Sequence, residues 1–199
     1  AHLEDNLGHG LQHAVKVTVD AGALLFIEGQ AAAYGRPILE RRMRIVQCAG
    51  LLHDIKRKKK EHAKLGAAHA LEILKDYPLS PDEIEDVSRA IQNHEAFKNG
   101  ILITTPKGAL ISDCLYDADK FRWGPDNFTD TLWDMISFYN PPLSKFMARY
   151  PQGMEGLEKI KTTFRTPTGK KYGPRFIDLG LAIGEKLYAV IQTEFSDCL

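Results

Sequence analysis

Residues 48–62 read "CAGLLHDIKRKKKEH", and in this stretch an apolar run ends on a histidine and an aspartate side by side. His53 lies four residues after Ala49, so it continues the apolar face of a helix. Asp54 lies four residues after Gly50, where the missing side chain leaves room for a close approach. The pattern predicts a helix that points two metal-binding side chains inward and meets a block of cations at its end.

Helical periodicity runs through the rest of the chain and predicts an all-α bundle that forms one domain over residues 1–199. The predicted helices cover a segment from Leu11 to near "YGRP" at 34–37, and then 37–54, 61–76, 81–94, 106–119, 127–139, 143–164 and 177–195. Ser80 before Pro81 and Thr105 before Pro106 have the residue order of capped helix starts. "GILITT" at 100–105 is a candidate extended piece, and "RTPTGKKYGPR" at 165–175 is a candidate long loop, either a flap or the approach to the last helix.

Composition excludes several classes of protein. The chain has 199 residues, of which 44% are hydrophobic, and its 26 Lys and Arg residues balance 26 Asp and Glu residues. No global charge favours nucleic acid or a membrane surface, and no apolar run reaches the roughly 18 residues of a membrane span. The first residues lack the pattern of a secretion signal, and three cysteines, Cys48, Cys114 and Cys198, are scattered without paired spacing. These features favour a protein of the reducing cytoplasm.

Other polar side chains also end apolar stripes. His94 lies three residues after Ile91 on the fourth predicted helix, and Asp119 lies four residues after Leu115 on the fifth, whereas Asp117 shares a different face with Asp113. A single buried histidine is most often a hydrogen-bonded core residue, and that interpretation stays open for each of them. A buried aspartate without a partner costs several kcal/mol, and the inward stripes carry no lysine or arginine. A metal ion is therefore the simplest counter-charge.

Three segments, "HGLQHAVKV" at 9–17, "LLHDIKR" at 51–57 and "YDADKF" at 116–121, resemble the H…HD…D signature of the HD-domain phosphohydrolase superfamily. The resemblance spans about residues 9–123, with the helices at 127–195 expected to pack on that core. It implies a helical bundle that binds a divalent metal ion, one of Mn, Fe, Co, Ni, Zn or Mg, through side chains on separate helices. The implied ligands are His13, His53, Asp54 and Asp119.

Two further segments, "HAKLGAAHALEIL" at 62–74 and "AIQNHEAF" at 90–97, resemble the added histidines of binuclear members, among them the bacterial HD-type diadenosine tetraphosphate hydrolases. This resemblance places His62 and His94 on a second ion, although His69 shares the face of His62. The chain departs from many relatives in one respect: they carry Gly and then Lys where this chain has Lys56 and Arg57.

The resemblance implies hydrolysis of a phosphomonoester, phosphodiester or phosphoanhydride bond by water activated on the metal, with Asp54 bridging the ions if two are present. The substrate would be a nucleotide or another small phosphorylated metabolite. Arg57 and Lys58 are the candidates for binding its phosphate, although most of the "KRKKK" block is expected to be a solvated loop.

Two alternatives stay open. The first is a regulatory module that binds a nucleotide or a metal with little turnover. The second is a nuclease that uses "KRKKK" at 56–60 on a phosphate backbone, which the neutral net charge supports weakly. Neither the individual substrate nor the oligomeric state can be predicted from the sequence.

Overall fold

The computed structural model describes residues 8–103 and 105–198, and the regular secondary structure in this part of the chain is all helical. The helices are α1 (Leu11–Ala31), α2 (Arg36–Leu52), α3 (His62–Leu74), α4 (Pro81–Gln92), α5 (Pro106–Phe121), α6 (Leu132–Tyr139), α7 (Leu143–Ile160) and α8 (Pro167–Glu194). A π-helical turn, Asn127–Thr131, leads directly into α6, and a short 3₁₀ turn, Ser196–Cys198, follows α8.

The prediction of an all-α fold is confirmed, and both predicted caps form. The Ser80 hydroxyl accepts a hydrogen bond from the backbone N–H of Glu83, whose carboxylate accepts in return from the N–H of Ser80. Thr105 caps α5 by accepting from the N–H of Gly108. The described part of 100–105 forms no strand, and Thr104 lies outside the described residues.

The predicted loop at 165–175 is wrong, because α8 begins at Pro167 and continues through Pro174. The glycines of α8 are typical of loops, but in this helix they allow neighbouring parts of the chain to pack closely against it. A Cβ on Gly173 would lie 2.4 Å from the Phe164 ring, and one on Gly180 would lie 2.6 Å from the backbone of Gly124. Gly169 and Gly184 are similarly crowded. The buried face of α8 therefore consists largely of glycines, with Ile177 and Ile191 as its buried side chains.

Buried carboxylates hold the start of α8. Asp117 of α5 accepts hydrogen bonds from the backbone N–H groups of Arg165 and Thr166, both at 2.8 Å, and from the Thr166 hydroxyl. Glu28 of α1 accepts from the N–H of Thr168 at 2.8 Å. Because N–H groups in the first turn of a helix have no partner within the helix, these contacts fix α8 against α1 and α5.

The core lies between α1, α2, α4 and α5. Val17, Val46, Ile91 and Leu115 contribute one fully buried side chain from each of these helices. The same contiguous apolar cluster extends to Ile160 at the end of α7 and Ile177 in α8. The polar ends of the inner helices then meet at one end of this core.

No helix in the described ranges combines the length and hydropathy that a membrane span needs. Cys48 and Cys114 are free thiols, and the side chain of Cys198 lies outside the described part of the chain.

Candidate metal centre

Five helices bring a set of buried histidines and aspartates together. His13 lies in the first turn of α1, and Asp119 lies near the end of α5. The other members come from helix ends: His53 and Asp54 directly after α2, His62 at the first position of α3, and His94 just after α4. All six side chains are buried.

Asp54 lies between two groups of imidazoles. Its Oδ2 is 2.8 Å from His9 Nδ1, 3.4 Å from His53 Nε2 and 3.8 Å from His13 Nε2. Its Oδ1 is 3.4 Å from the Nε2 atoms of both His62 and His94. Each carboxylate oxygen thus faces a different set of nitrogen ligands.

Asp119 joins the first of these groups. Its Oδ1 lies 3.2 Å from His13 Nε2 and 3.8 Å from His53 Nε2, and the two imidazole nitrogens are 3.2 Å apart. Its Oδ2 lies 2.5 Å from the ammonium group of Lys120. One carboxylate oxygen is therefore engaged by a lysine, while the other faces the histidines.

Backbone carbonyls set the orientation of two histidines. The Nδ1 of His53 lies 2.7 Å from the Gly50 carbonyl oxygen, and that of His94 lies 2.6 Å from the Ile91 carbonyl oxygen. A carbonyl oxygen only accepts, so Nδ1 carries the proton, and in the neutral ring the Nε2 lone pair points into the cluster. This is the arrangement in which histidines bind metal ions.

The second group needs a cation for a related reason. The guanidinium of Arg57, which only donates, lies 3.1 Å from His62 Nε2, so this nitrogen is an acceptor. It also lies 3.3 Å from His94 Nε2, which is an acceptor in the neutral ring. Two lone pairs that face each other at this distance repel unless a proton or a metal ion lies between them.

Burial and charge act in opposite directions on the ionisable groups. Burial lowers the pKa of His53, but Asp54 and Asp119 raise it by more, to about 8. Burial lowers the pKa of His13, and Asp119 offsets this only in part. Burial would raise the pKa of both aspartates, yet His53 beside Asp54 and Lys120 beside Asp119 hold these pKa values well below the usual range. Both carboxylates are therefore ionised at neutral pH.

These residues fit a divalent metal ion. Asp54 Oδ1, Asp119 Oδ1 and His9 Nδ1 are buried, and no described residue satisfies them with a hydrogen bond of acceptable geometry. A buried polar atom left in this state costs about 1–3 kcal/mol, and more when it is charged. Imidazole nitrogens and carboxylate oxygens suit divalent first-row ions. Three overlapping triads have ligand atoms within 4.8 Å of one another: His9, His13 and Asp54; His13, His53 and Asp119; and His53, Asp54 and His94.

Gly50 allows the close approach of α1 and α2 that forms the first group. A Cβ on Gly50 would lie 2.8 Å from the Cα of Thr18, which is closer than real side chains approach a backbone. Its carbonyl oxygen also orients His53. The same residue thus sets both the helix spacing and the direction of one imidazole.

The structure brings together all six side chains that the resemblance implied as ligands, and it adds His9. His9 lies just before α1, four residues before His13, and this spacing was the available signal in the sequence. His69 is half-buried and belongs to none of the triads. Asp117 caps α8, as described above, and does not face the histidines.

The expectation that no lysine or arginine points inward is wrong for Lys120, whose side chain is 3% exposed. Apolar periodicity separates inward from outward residues only where one face of the helix meets solvent. Every residue from Cys114 to Phe121 is buried, so the end of α5 has no solvent face. Lys120 lies 5.0 Å from the Tyr116 ring centroid and 5.6 Å from that of Trp123.

The cationic block begins after α2 ends at Leu52. The N–H of Arg57 donates to the carbonyl oxygen of Asp54 at 2.9 Å, and this turn keeps the guanidinium beside the cluster, 3.8 Å from Asp54 Oδ1. Lys58, Lys59 and Lys60 are exposed, whereas Arg57 is half-buried.

Helix ends that gather buried histidines and aspartates form a candidate metal-binding centre in a helical bundle. The sequence profile of the HD domain matches residues 10–123, more than half of the chain, and the chain therefore belongs to the HD domain family. It is a metal-dependent phosphohydrolase of this family.

A solved structure has the same fold. It is described as a predicted HD superfamily hydrolase from an uncultured Thermotogales bacterium, and it matches with a TM-score of 0.53 at 19% identity over 91% of this chain and 80% of that chain. No curated protein sequence matches the chain.

Proposed function

We propose that this chain hydrolyses a phosphoester or phosphoanhydride bond of a small phosphorylated molecule at a binuclear metal centre. The observation that carries the proposal is the position of Asp54, whose two carboxylate oxygens face separate groups of imidazoles. A carboxylate in this position is suited to bridge two cations.

The ligand atoms divide between the two sites. The first ion would be held by His13, His53, Asp54 and Asp119, with His9 beside them, and the second by Asp54, His62 and His94. A divalent cation at such a site supplies a Lewis acid that activates water and neutralises phosphoryl charge.

The protein contributes orientation and charge. The Gly50 and Ile91 carbonyl oxygens hold His53 and His94 with their Nε2 atoms directed at the ligand cluster. Arg57 lies beside His62 and Asp54 with its guanidinium partly exposed, where it can donate to a phosphate oxygen. Lys58 is the adjacent candidate for a phosphate contact. Water would be the attacking group, activated by a cation that these residues would hold.

The first test measures metal content and turnover together. Wild-type protein and an Asp54→Ala variant would be analysed for bound metal and assayed against a panel of phosphoesters, including nucleotides, with Mn, Co, Ni and Mg. We expect Asp54→Ala to lose both metal and turnover, by more than the roughly 10–100-fold that follows loss of a residue that only supports a ligand. Asp76→Ala, at an exposed aspartate, is the control. Wild-type turnover in Asp54→Ala would refute the proposal, and binding without turnover in the wild type would instead indicate a regulatory module.

The second test concerns the number of ions. Wild-type protein saturated with Mn is expected to hold two ions per chain, and His62→Ala and His94→Ala are each expected to hold one. A His69→Ala variant, which changes a half-buried histidine outside the triads, should keep two. One ion per chain in the wild type, with turnover intact in both site variants, would exclude the binuclear arrangement.

A further inference from the structure

A cavity of about 680 Å³ opens beside the metal centre. His9, His13 and Arg57 form the end at the metal centre, and most of the other lining residues come from the π-helical turn, α6 and α7, joined by Arg122 and Trp123 just after α5. A volume of this size is within the range of small-molecule sites, which bury most of the surface of their ligand. The cavity therefore holds far more than a phosphate group.

The walls away from the metal centre are mainly apolar. They include Phe128, Leu132, Met135, Phe146, Met154 and Leu157. Among the described residues that line the cavity none is acidic, and the charged ones are the cations Arg57, Arg122, Lys145 and Arg149. The cations complement a phosphorylated ligand, whereas the apolar walls offer few partners for the hydroxyl groups of a sugar.

Helix α6 shows that this apolar surface lacks a cover within the described chain. Six of its eight residues, in "LWDMISFY", are apolar or aromatic, yet none is buried. Met135 lines the cavity and is 41% exposed. An apolar wall that stays accessible beside a reaction centre is typical of a ligand-binding surface.

We propose that this cavity binds an apolar part of the substrate, so that the enzyme acts on a phosphate ester of an apolar alcohol or phenol. The proposal rests on the proposed function, since the phosphate must reach the histidine and aspartate cluster. Arg57 belongs to both regions, because it contacts His62 and also lines the cavity. The phosphate would lie at the end formed by His9, His13 and Arg57, with the apolar group extending along α6 and α7.

The test is a binding series on the full chain loaded with Mn. Methyl-, butyl-, hexyl- and octylphosphonate, which are not hydrolysed, are titrated by calorimetry below their micelle-forming concentrations. Each methylene that enters the cavity should tighten Kd by about threefold to fourfold. Phenylphosphonate distinguishes an aryl from an alkyl group, and adenosine monophosphate serves as the polar comparison, expected to bind more weakly than hexylphosphonate.

Two variants of α6 provide a matched comparison. Met135→Glu places a carboxylate in the cavity wall, and Phe138→Glu makes the same change at a residue that is 52% exposed and does not line the cavity. We expect Met135→Glu to weaken octylphosphonate binding at least about tenfold more than methylphosphonate binding, and Phe138→Glu to keep the full chain-length dependence. Both positions are exposed, so both variants should fold, and the wild-type series is decisive without them.

The outcomes separate this proposal from the one on which it rests. Methylphosphonate binding with no gain along the series, or tighter binding of adenosine monophosphate than of hexylphosphonate, would overturn the apolar-group proposal and leave the hydrolase intact. Failure of both methylphosphonate and inorganic phosphate to bind the Mn-loaded protein would overturn both.

Discussion

Replacing Gly180 in α8 by alanine is expected to destabilise the fold, although alanine is the better helix former. A Cβ at this position would lie 2.6 Å from the carbonyl carbon of Gly124 and 2.7 Å from its oxygen. Favourable carbon contacts lie at about 3.5–4.0 Å, so the overlap is close to 1 Å, and a backbone cannot rotate away as a side chain can. Overpacking of this kind costs about 1–3 kcal/mol, and we place this case near the upper end.

The same substitution has the opposite sign elsewhere in the chain. Gly156 lies within α7, and a Cβ there would meet nothing within 4 Å. Replacing glycine by alanine in a helix interior gains about 1 kcal/mol. Gly180→Ala, with this gain subtracted, should be destabilised by about 2 kcal/mol, and Gly156→Ala should be stabilised by about 1 kcal/mol.

Urea unfolding followed by circular dichroism measures the difference between the two variants. With a slope of about 2 kcal/mol per molar urea, their midpoints should differ by at least about 1 M, with wild type between them. If both variants unfolded at higher urea than wild type, the close contact between α8 and the Gly124 segment would be refuted.

Two further predictions concern charged residues. Arg41, which donates to Glu83, lowers the pKa of Glu83 from 4.5 to about 2, so this carboxylate stabilises the fold above about pH 4.5 and loses that effect as the pH falls towards 2. Glu83→Gln should therefore unfold at lower urea than wild type at pH 7, by a modest amount because Arg41 is over a third exposed, and the gap in urea midpoints should narrow as the pH falls towards 2; a constant gap would contradict the assignment. Arg57→Ala should lower kcat/KM by a factor that corresponds to about 1.5–3 kcal/mol, even in high salt, whereas Lys59→Ala combined with Lys60→Ala should have a smaller effect that salt removes. Equal, salt-sensitive losses would mean that the cations at 56–60 act only by long-range attraction.

Much of the fold could be predicted because the sequence marks its helices locally. Ser80 and Thr105 stand before prolines at helix starts, and apolar spacing identified the inward face of helices such as α4. The start of α8 could not be predicted in this way. Gly169, Gly173 and Pro174 are loop residues by local propensity, and the contacts that favour glycine there, with the Phe164 ring and the Asp117 carboxylate, exist only in the folded chain.

The same division applies to the metal centre. The family signature indicated the six side chains that come together, but local patterns gave no distances between helices. The role of His9 could not be predicted in this way, because His9 precedes α1 and so continues no apolar stripe. The burial of Lys120 could not be predicted, because the sequence does not show that α1, α2, α4 and α8 all pack against α5. Each of these omissions depends on contacts between elements far apart in the chain.

Gly50 extends the metal centre beyond the residues that can bind an ion. It contributes no ligand atom, yet its carbonyl oxygen aims His53, and its bare Cα lets Thr18 approach. In a saturation mutagenesis library selected for retained metal, Gly50 should therefore tolerate as few substitutions as the histidines themselves. Even alanine would push α1 away from α2 and separate His13 from His53. If family members share a glycine ahead of the histidine-aspartate pair, it would therefore be retained for the spacing of the two helices, not for metal binding.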